Sequence, residues 1–160
     1  FIMKCKMVFF FLITLSSVAF AYDIRVVRNL FYAAADNSRN TEAFITYIEN
    51  LNEQNKPELK AYYGMGYLLR SKHAFNPYNK MANFNKGKKL LEEAIQADSK
   101  NAELRFLRLS VQTHAPFFLN YADKLKEDEQ LIRTSYPTLT DRDLRDRIKN
   151  FFKENNLAIE

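Results

Sequence analysis

Gly87 to Leu109 reads GKKLLEEAIQADSKNAELRFLRL, and this stretch decides the fold class. Leu90, Leu91, Ala94 and Ile95 recur at i, i+1, i+4 and i+5, the spacing that gathers apolar side chains on one side of a helix. The small Ala94 on that side lets a neighbouring helix come close. Asp98, Ser99, Lys100 and Asn101 form a short polar break. Ala102 to Val111 then reads as a second helix, with Glu103 in its first turn, where the helix dipole favours a negative charge. Two helices joined by so few residues lie antiparallel.

The rest of the chain reads the same way. Glycine (3) and proline (4) are scarce, and no stretch alternates apolar and polar residues for long, so helices are expected almost throughout. The first spans Asp23 to Ala35, with Val26, Val27, Leu30, Phe31 and Ala34 on its apolar face. Thr41 to Leu51 follows, and a third helix begins at Pro57, where a missing N–H costs nothing. Ala74 to Asn85, rich in Asn and aromatics and carrying Pro77, reads as a loop and short turn leading into the Gly87 helix. A further helix is expected from Ala122 to Arg133. Thr140 with Asp143 approximates a capping box that opens a last helix, striped by Leu144, Ile148, Phe151 and Phe152.

The run LLEEAIQADSKNAELRF resembles the second helix of a tetratricopeptide repeat, its turn, and the first helix of the next repeat. PELKAYYGMGYLL, from Pro57 to Leu69, resembles the first helix of such a repeat, with Gly64 as its small residue and Tyr67 as the aromatic. Ser99 stands where that family usually has proline, and His73 to Lys86 is longer than the family's turn. The resemblance covers Pro57 to Leu109, about a repeat and a half. It implies an all-α fold of six or seven helices, in antiparallel hairpins stacked as a short superhelix. The whole chain also resembles small exported helical proteins of Gram-negative bacteria, a likeness that implies no site.

Lys4 and Lys6, the apolar run Met7 to Val18 and the small residues of Ala19-Phe20-Ala21 form a secretory signal pattern beginning at Met3, with cleavage expected after Ala21. The apolar run is shorter than the ~20 residues of a spanning helix, so no membrane span is expected after cleavage. Cys5 precedes the run, on the wrong side for a lipid anchor, and Tyr22 to Glu160 contains no cysteine. A single domain held by packing, periplasmic or secreted, is expected there. Of 24 Lys and Arg, 22 remain against 19 Asp and Glu, a net charge near +3. Charge so weak and intermixed argues against nucleic acid.

The helix beginning at Ala102 carries the main candidates. Leu104, Phe106, Leu107, Leu109 and Val111 make it apolar on nearly every side, while Arg105, Arg108 and Gln112 share one polar stripe. Asp128 falls among Leu125, Leu131 and Ile132, where an unpaired carboxylate would be costly. It is therefore expected to pair with Arg105 or Arg108. The alternative use of these arginines is to grip a partner's carboxylate with their planar forks. A second surface is offered by the aromatics. Phe75, Phe84, Phe117 and Phe118 are expected to plug the core, whereas Tyr78 and Tyr121 suit a wet edge.

Catalytic and metal patterns are absent from the spacing. His73 and His114 are isolated, so no metal or cofactor is expected. Gly64-Met65-Gly66 lies in a helical run and reads as close packing, not as a phosphate loop. Glu92-Glu93 and Glu127-Asp128-Glu129 are carboxylate clusters of the kind usually found on solvated helix faces. The reading that follows is a non-catalytic module binding a protein or peptide in the cell envelope through Arg105, Arg108, Gln112, Tyr78 and Tyr121. Two alternatives stand beside it: an enzyme or small-ligand binder using a cavity between the central helices, and a structural subunit with an uncovered apolar face on its terminal helices.

Overall fold

A computed structural model describes residues 22–157. The expected signal segment and its cleavage site lie outside the described residues. Within them the chain forms seven α-helices, two 3-10 turns and no strand. The helices are α1 (Ile24–Ala34), α2 (Ser38–Leu51), α3 (Pro57–His73), α4 (Pro77–Ala97), α5 (Ala102–His114), α6 (Leu125–Ser135) and α7 (Arg142–Glu154). The protein is thus all-α, as its sequence pattern requires. Among the described residues no helix is long and apolar enough to cross a membrane.

Short polar side chains set most of the helix starts. Asp23, Asn37, Asn76, Asn101 and Asp141 each accept a hydrogen bond from a backbone N–H of the first turn that follows, an arrangement that contributes about 1 kcal/mol per helix. The cap of α7 is therefore Asp141, bonded to the Leu144 N–H at 3.1 Å, and not Thr140. An aspartate one residue later does the same work with a formal charge facing the helix dipole.

The largest departure from the sequence reading is α4. No long connection follows His73: only Ala74, Phe75 and Asn76 separate α3 from a helix that runs unbroken from Pro77 to Ala97. Asn76 caps it and Pro77 takes the first-turn position, as Pro57 does in α3. The asparagines that suggested a loop have low helix propensity, but tertiary packing outweighs it. Phe84, Gly87 and Leu91 are buried along the side that meets α3.

Two glycines draw α3 and α4 together. A Cβ on Gly87 would lie 2.6 Å from the Gly64 carbonyl oxygen, and one on Gly64 would lie 2.8 Å from the Gly87 carbonyl oxygen. The backbones themselves are in contact at this crossing. Gly66, two residues on, gives its space to Ile45 of α2.

Helices pack in the pairs α1 with α2, α3 with α4 and α5 with α6, while α3 also touches both α1 and α5. One apolar core lies among α1 to α5 and includes Val27, Phe44, Leu59, Leu91 and Leu104. A second joins Phe106 and Leu109 of α5 to Ile132 of α6 and to Leu144, Ile148 and Phe152 of α7. Helix α5 belongs to both, and every residue from Ala102 to Leu109 is buried. That is why its sequence is apolar on nearly every side.

Candidate functional site

The polar stripe of α5 turns inward. Asp128, fully buried on α6, accepts from Arg105 Nη1 at 2.8 Å and from Arg108 Nε and Nη2 at 2.7 Å each. Both arginines are satisfied further. Arg105 reaches Glu127 at 2.8 Å and the Ser99 carbonyl at 2.9 Å, and Arg108 reaches Glu92 of α4 at 2.7 Å. The Tyr121 hydroxyl donates to the other Glu92 oxygen at 2.5 Å. Burial penalises the Arg108 cation, but its bonds to Asp128 and Glu92 outweigh this and raise its pKa. Burial first, and then Glu92, pushes the Tyr121 phenol up, so it remains a donor.

A second buried network, which sequence reasoning missed, ties α1 to α3, α5 and the start of α7. Arg28 of α1 donates to both Glu103 oxygens at 2.7 Å and to Asp143 at 2.9 Å, and is ion-paired with Asp141 at 2.8 Å. The Tyr62 hydroxyl completes it with a bond to Glu103 at 2.8 Å. Glu103 is more than a dipole partner for its helix. The missed signal was Arg28's place among Val27, Phe31 and Ala34, which are buried with it, whereas Val26 and Leu30 are more than a third exposed. The α1 face is rotated from the expected one because the arginine has carboxylates to meet.

These findings correct the expected partner surface. Arg105, Arg108, Gln112 and Tyr121 are all buried, so they present no face to a partner. Gln112 lies one turn beyond Arg108, and its side-chain amide has no hydrogen-bond partner among the described residues. Tyr78 alone of the five is exposed, at 80 %. Glu92 and Glu127 are half-solvated ends of the arginine network and not a free carboxylate surface. The phenylalanines also exchange roles with the expectation: Phe84 is buried, but Phe75 and Phe117 are fully exposed and Phe118 is 76 % exposed.

Of these exposed aromatics, Phe118 lines a cleft of about 790 Å³ at the α3–α4 tip, and Phe75 and Phe117 are outside its lining. It lies between the C-terminal half of α3, the start of α4, the end of α5 and residues 115–119. One wall is Leu68, Leu69 and Lys72 of α3 with Met81 of α4, and the other is Val111 and His114 of α5 with Phe118. Lys80 also lines it, and no Asp or Glu does. Among the described residues, no group of three or more His, Cys, Asp or Glu is arranged to hold a metal ion.

Set against known proteins, the chain matches no family model, no curated protein and no solved structure. The geometry of the cleft and of the two networks therefore carries the functional reading.

Proposed function

We propose that this chain is an exported helical interaction module that receives an apolar segment of a peptide or protein partner in the cleft at the α3–α4 tip. One observation carries the reading: a cleft of about 790 Å³ is lined mainly by apolar side chains, of which Phe118 and Met81 are themselves exposed. Large apolar side chains gathered at one site on an otherwise charged surface mark a docking site, and a groove between helices suits an amphipathic helix laid into it. The tetratricopeptide-like stacking of hairpins and the signal segment before Tyr22 belong to the same proposal, placing the module in the cell envelope. The binding face moves from the buried arginine stripe to the hairpin tip, and no bond-making chemistry is assigned to it.

A second reading is favoured by the cleft's size, since 300–1,000 Å³ is the range of small-molecule sites. On that reading an apolar ligand, and not a chain segment, fills the space. Photo-crosslinking separates the two. A photoreactive residue at Met81 or Phe118 is expected to give a single discrete protein adduct in envelope preparations, while one at Lys149, an exposed α7 position outside the cleft lining, gives none. Protein adducts absent from both cleft positions would rule out the first reading. Retention of a small apolar compound through purification would then favour the second.

A further inference from the structure

The cleft's surroundings carry a charge asymmetry that narrows what it takes. From Arg70 to Leu91 the chain holds Arg70, Lys72, Lys80, Lys86, Lys88 and Lys89 and not one Asp or Glu. The opposite wall is acid-free as well: no carboxylate occurs from Leu104 to Ala122. A weak overall charge thus conceals a run of cations through the α3–α4 tip, because the acidic residues lie before Arg70 or from Glu92 onward, outside both of these stretches.

Most of these cations are engaged. Arg70 pairs with Glu42, Lys86 lies over the Tyr67 ring at 3.9 Å, Lys88 lies over the Tyr121 ring at 4.5 Å, and Lys89 stands 4.0 Å from Glu93. Lys72 and Lys80 are different. Both are exposed and line the cleft, and neither has a carboxylate within 4 Å among the described residues.

We infer that the occupant of this cleft is an acidic amphipathic peptide segment, whose apolar side chains enter between Met81 and Val111 while its Asp or Glu residues meet Lys72 and Lys80. This rests on the cleft being a peptide site, and it adds the charge of the peptide. The apolar recess supplies the contact area; the two lysines set orientation and discriminate against neutral and basic segments, the usual contribution of charge at a rim. A flat bilayer would meet the projecting phenylalanines but could not enter the recess. A segment with its own apolar ridge can.

The test uses protein purified from cells expressing the full 160-residue chain, so that any processing is the cell's own. A displayed library of random peptides, about four helical turns long, is selected on the wild type and counter-selected on Met81→Asp, a substitution at a part-exposed cleft position. The expected winners place large apolar residues at i, i+3, i+4 and i+7 and carry Asp or Glu beside them. In fluorescence titrations at low salt, replacing their acids by Gln or Lys is expected to weaken binding by about tenfold, as two rim ion pairs allow. Lys72→Gln/Lys80→Gln removes that preference while leaving the neutral peptide's affinity unchanged.

Winners that bind the cleft without charge bias would overturn the acidic assignment and leave the peptide site standing. Enrichment of no cleft-dependent peptide would overturn both. Binding of sodium dodecanoate, or of vesicles containing phosphatidylglycerol, in the absence of any peptide would overturn them equally and assign the cleft to a lipid.

Discussion

The middle of this protein and its tip invert the usual distribution of residues, in opposite senses. Around α5, Arg28, Arg105, Arg108, Glu103 and Asp128 are buried, and at the α3–α4 tip Phe75, Phe117 and Phe118 face solvent. The two inversions differ in how completely they are compensated. Each of these buried charges has opposite charge at 2.7 to 2.8 Å, so the charges of the interior are balanced. The exposed rings have no such cover among the described residues, and the cleft that Phe118 lines is open. A compensated inversion is a structural device; an uncompensated one is a place where something outside the molecule completes the contact.

The sharpest way to break that contrast is to unbalance the interior. Asp128→Ala leaves Arg105 and Arg108 with only their partial ties to Glu127, Glu92 and the Ser99 carbonyl. Removing one side of a buried pair costs about 3–5 kcal/mol, so denaturant unfolding should show a loss of that size. An unchanged melting temperature would mean that the network contributes little and that the arginines are free for other work. Replacing Asp128 and both arginines together by apolar residues should cost less than the single change, since no charge is then left behind.

The α3–α4 crossing comes next. Gly87→Ala places a methyl group 2.6 Å from a carbonyl oxygen of α3, and the obstacle is backbone, which cannot rotate aside. Separating the two helices should cost about 1–3 kcal/mol, against a gain of up to about 1 kcal/mol from better helix propensity. A net loss in thermal stability is expected. It should be accompanied by a change in cleft binding, because α3 and α4 supply one whole wall of the cleft.

The Arg28 network gives a smaller effect that depends on pH. Burial opposes ionisation of Asp141, but the bond from Arg28 and backbone N–H groups outweigh it and hold its carboxyl below the ordinary range. Burial likewise opposes ionisation of Asp143, where bonds from Arg147 and Arg28 prevail. Unfolded aspartates titrate near pH 3.9. The folded state therefore binds fewer protons in acid, and the stability these groups add is complete above that pH and lost as pH falls through their lower folded values. Asp141→Asn/Asp143→Asn should flatten the acid limb of melting temperature against pH. Both side chains are about a third exposed, so solvent screening keeps the effect below that of Asp128→Ala.

What could be read from the sequence follows the same contrast. Interior positions obey periodicity, so the class of fold, the Asp98–Asn101 turn and the central place of α5 were all legible. The position of Asp128 in an apolar stripe pointed to a paired charge. The identical argument applied to Arg28, but two apolar neighbours, Val26 and Leu30, masked which face of α1 was buried. The tip was read wrongly because aromatic residues near Asn and Pro suggest a plugged loop, whereas Asn76 and Pro77 begin a helix. Nor does periodicity reveal the cleft, since it depends on how the ends of α3, α4 and α5 meet residues 115–119 in space. The acid-free run from Arg70 to Leu91 was visible, but overall net charge averaged it away.

The smallest expected effect bears most directly on function. Phe75→Ser/Phe117→Ser removes two large apolar side chains, yet both rings are fully exposed and surface changes of this kind stay within about 0.5 kcal/mol. Melting temperature should hardly move, while binding at the tip should weaken. A substantial loss of stability would mean that these rings are covered by the chain itself in solution, and the contrast between a balanced interior and an unbalanced tip would fail. Unchanged stability with unchanged binding would place the docking contacts deeper in the cleft, on Met81 and Val111. Only the combination of intact folding and weakened binding shows that the rings are kept outside because a partner, and not the protein's own core, buries them.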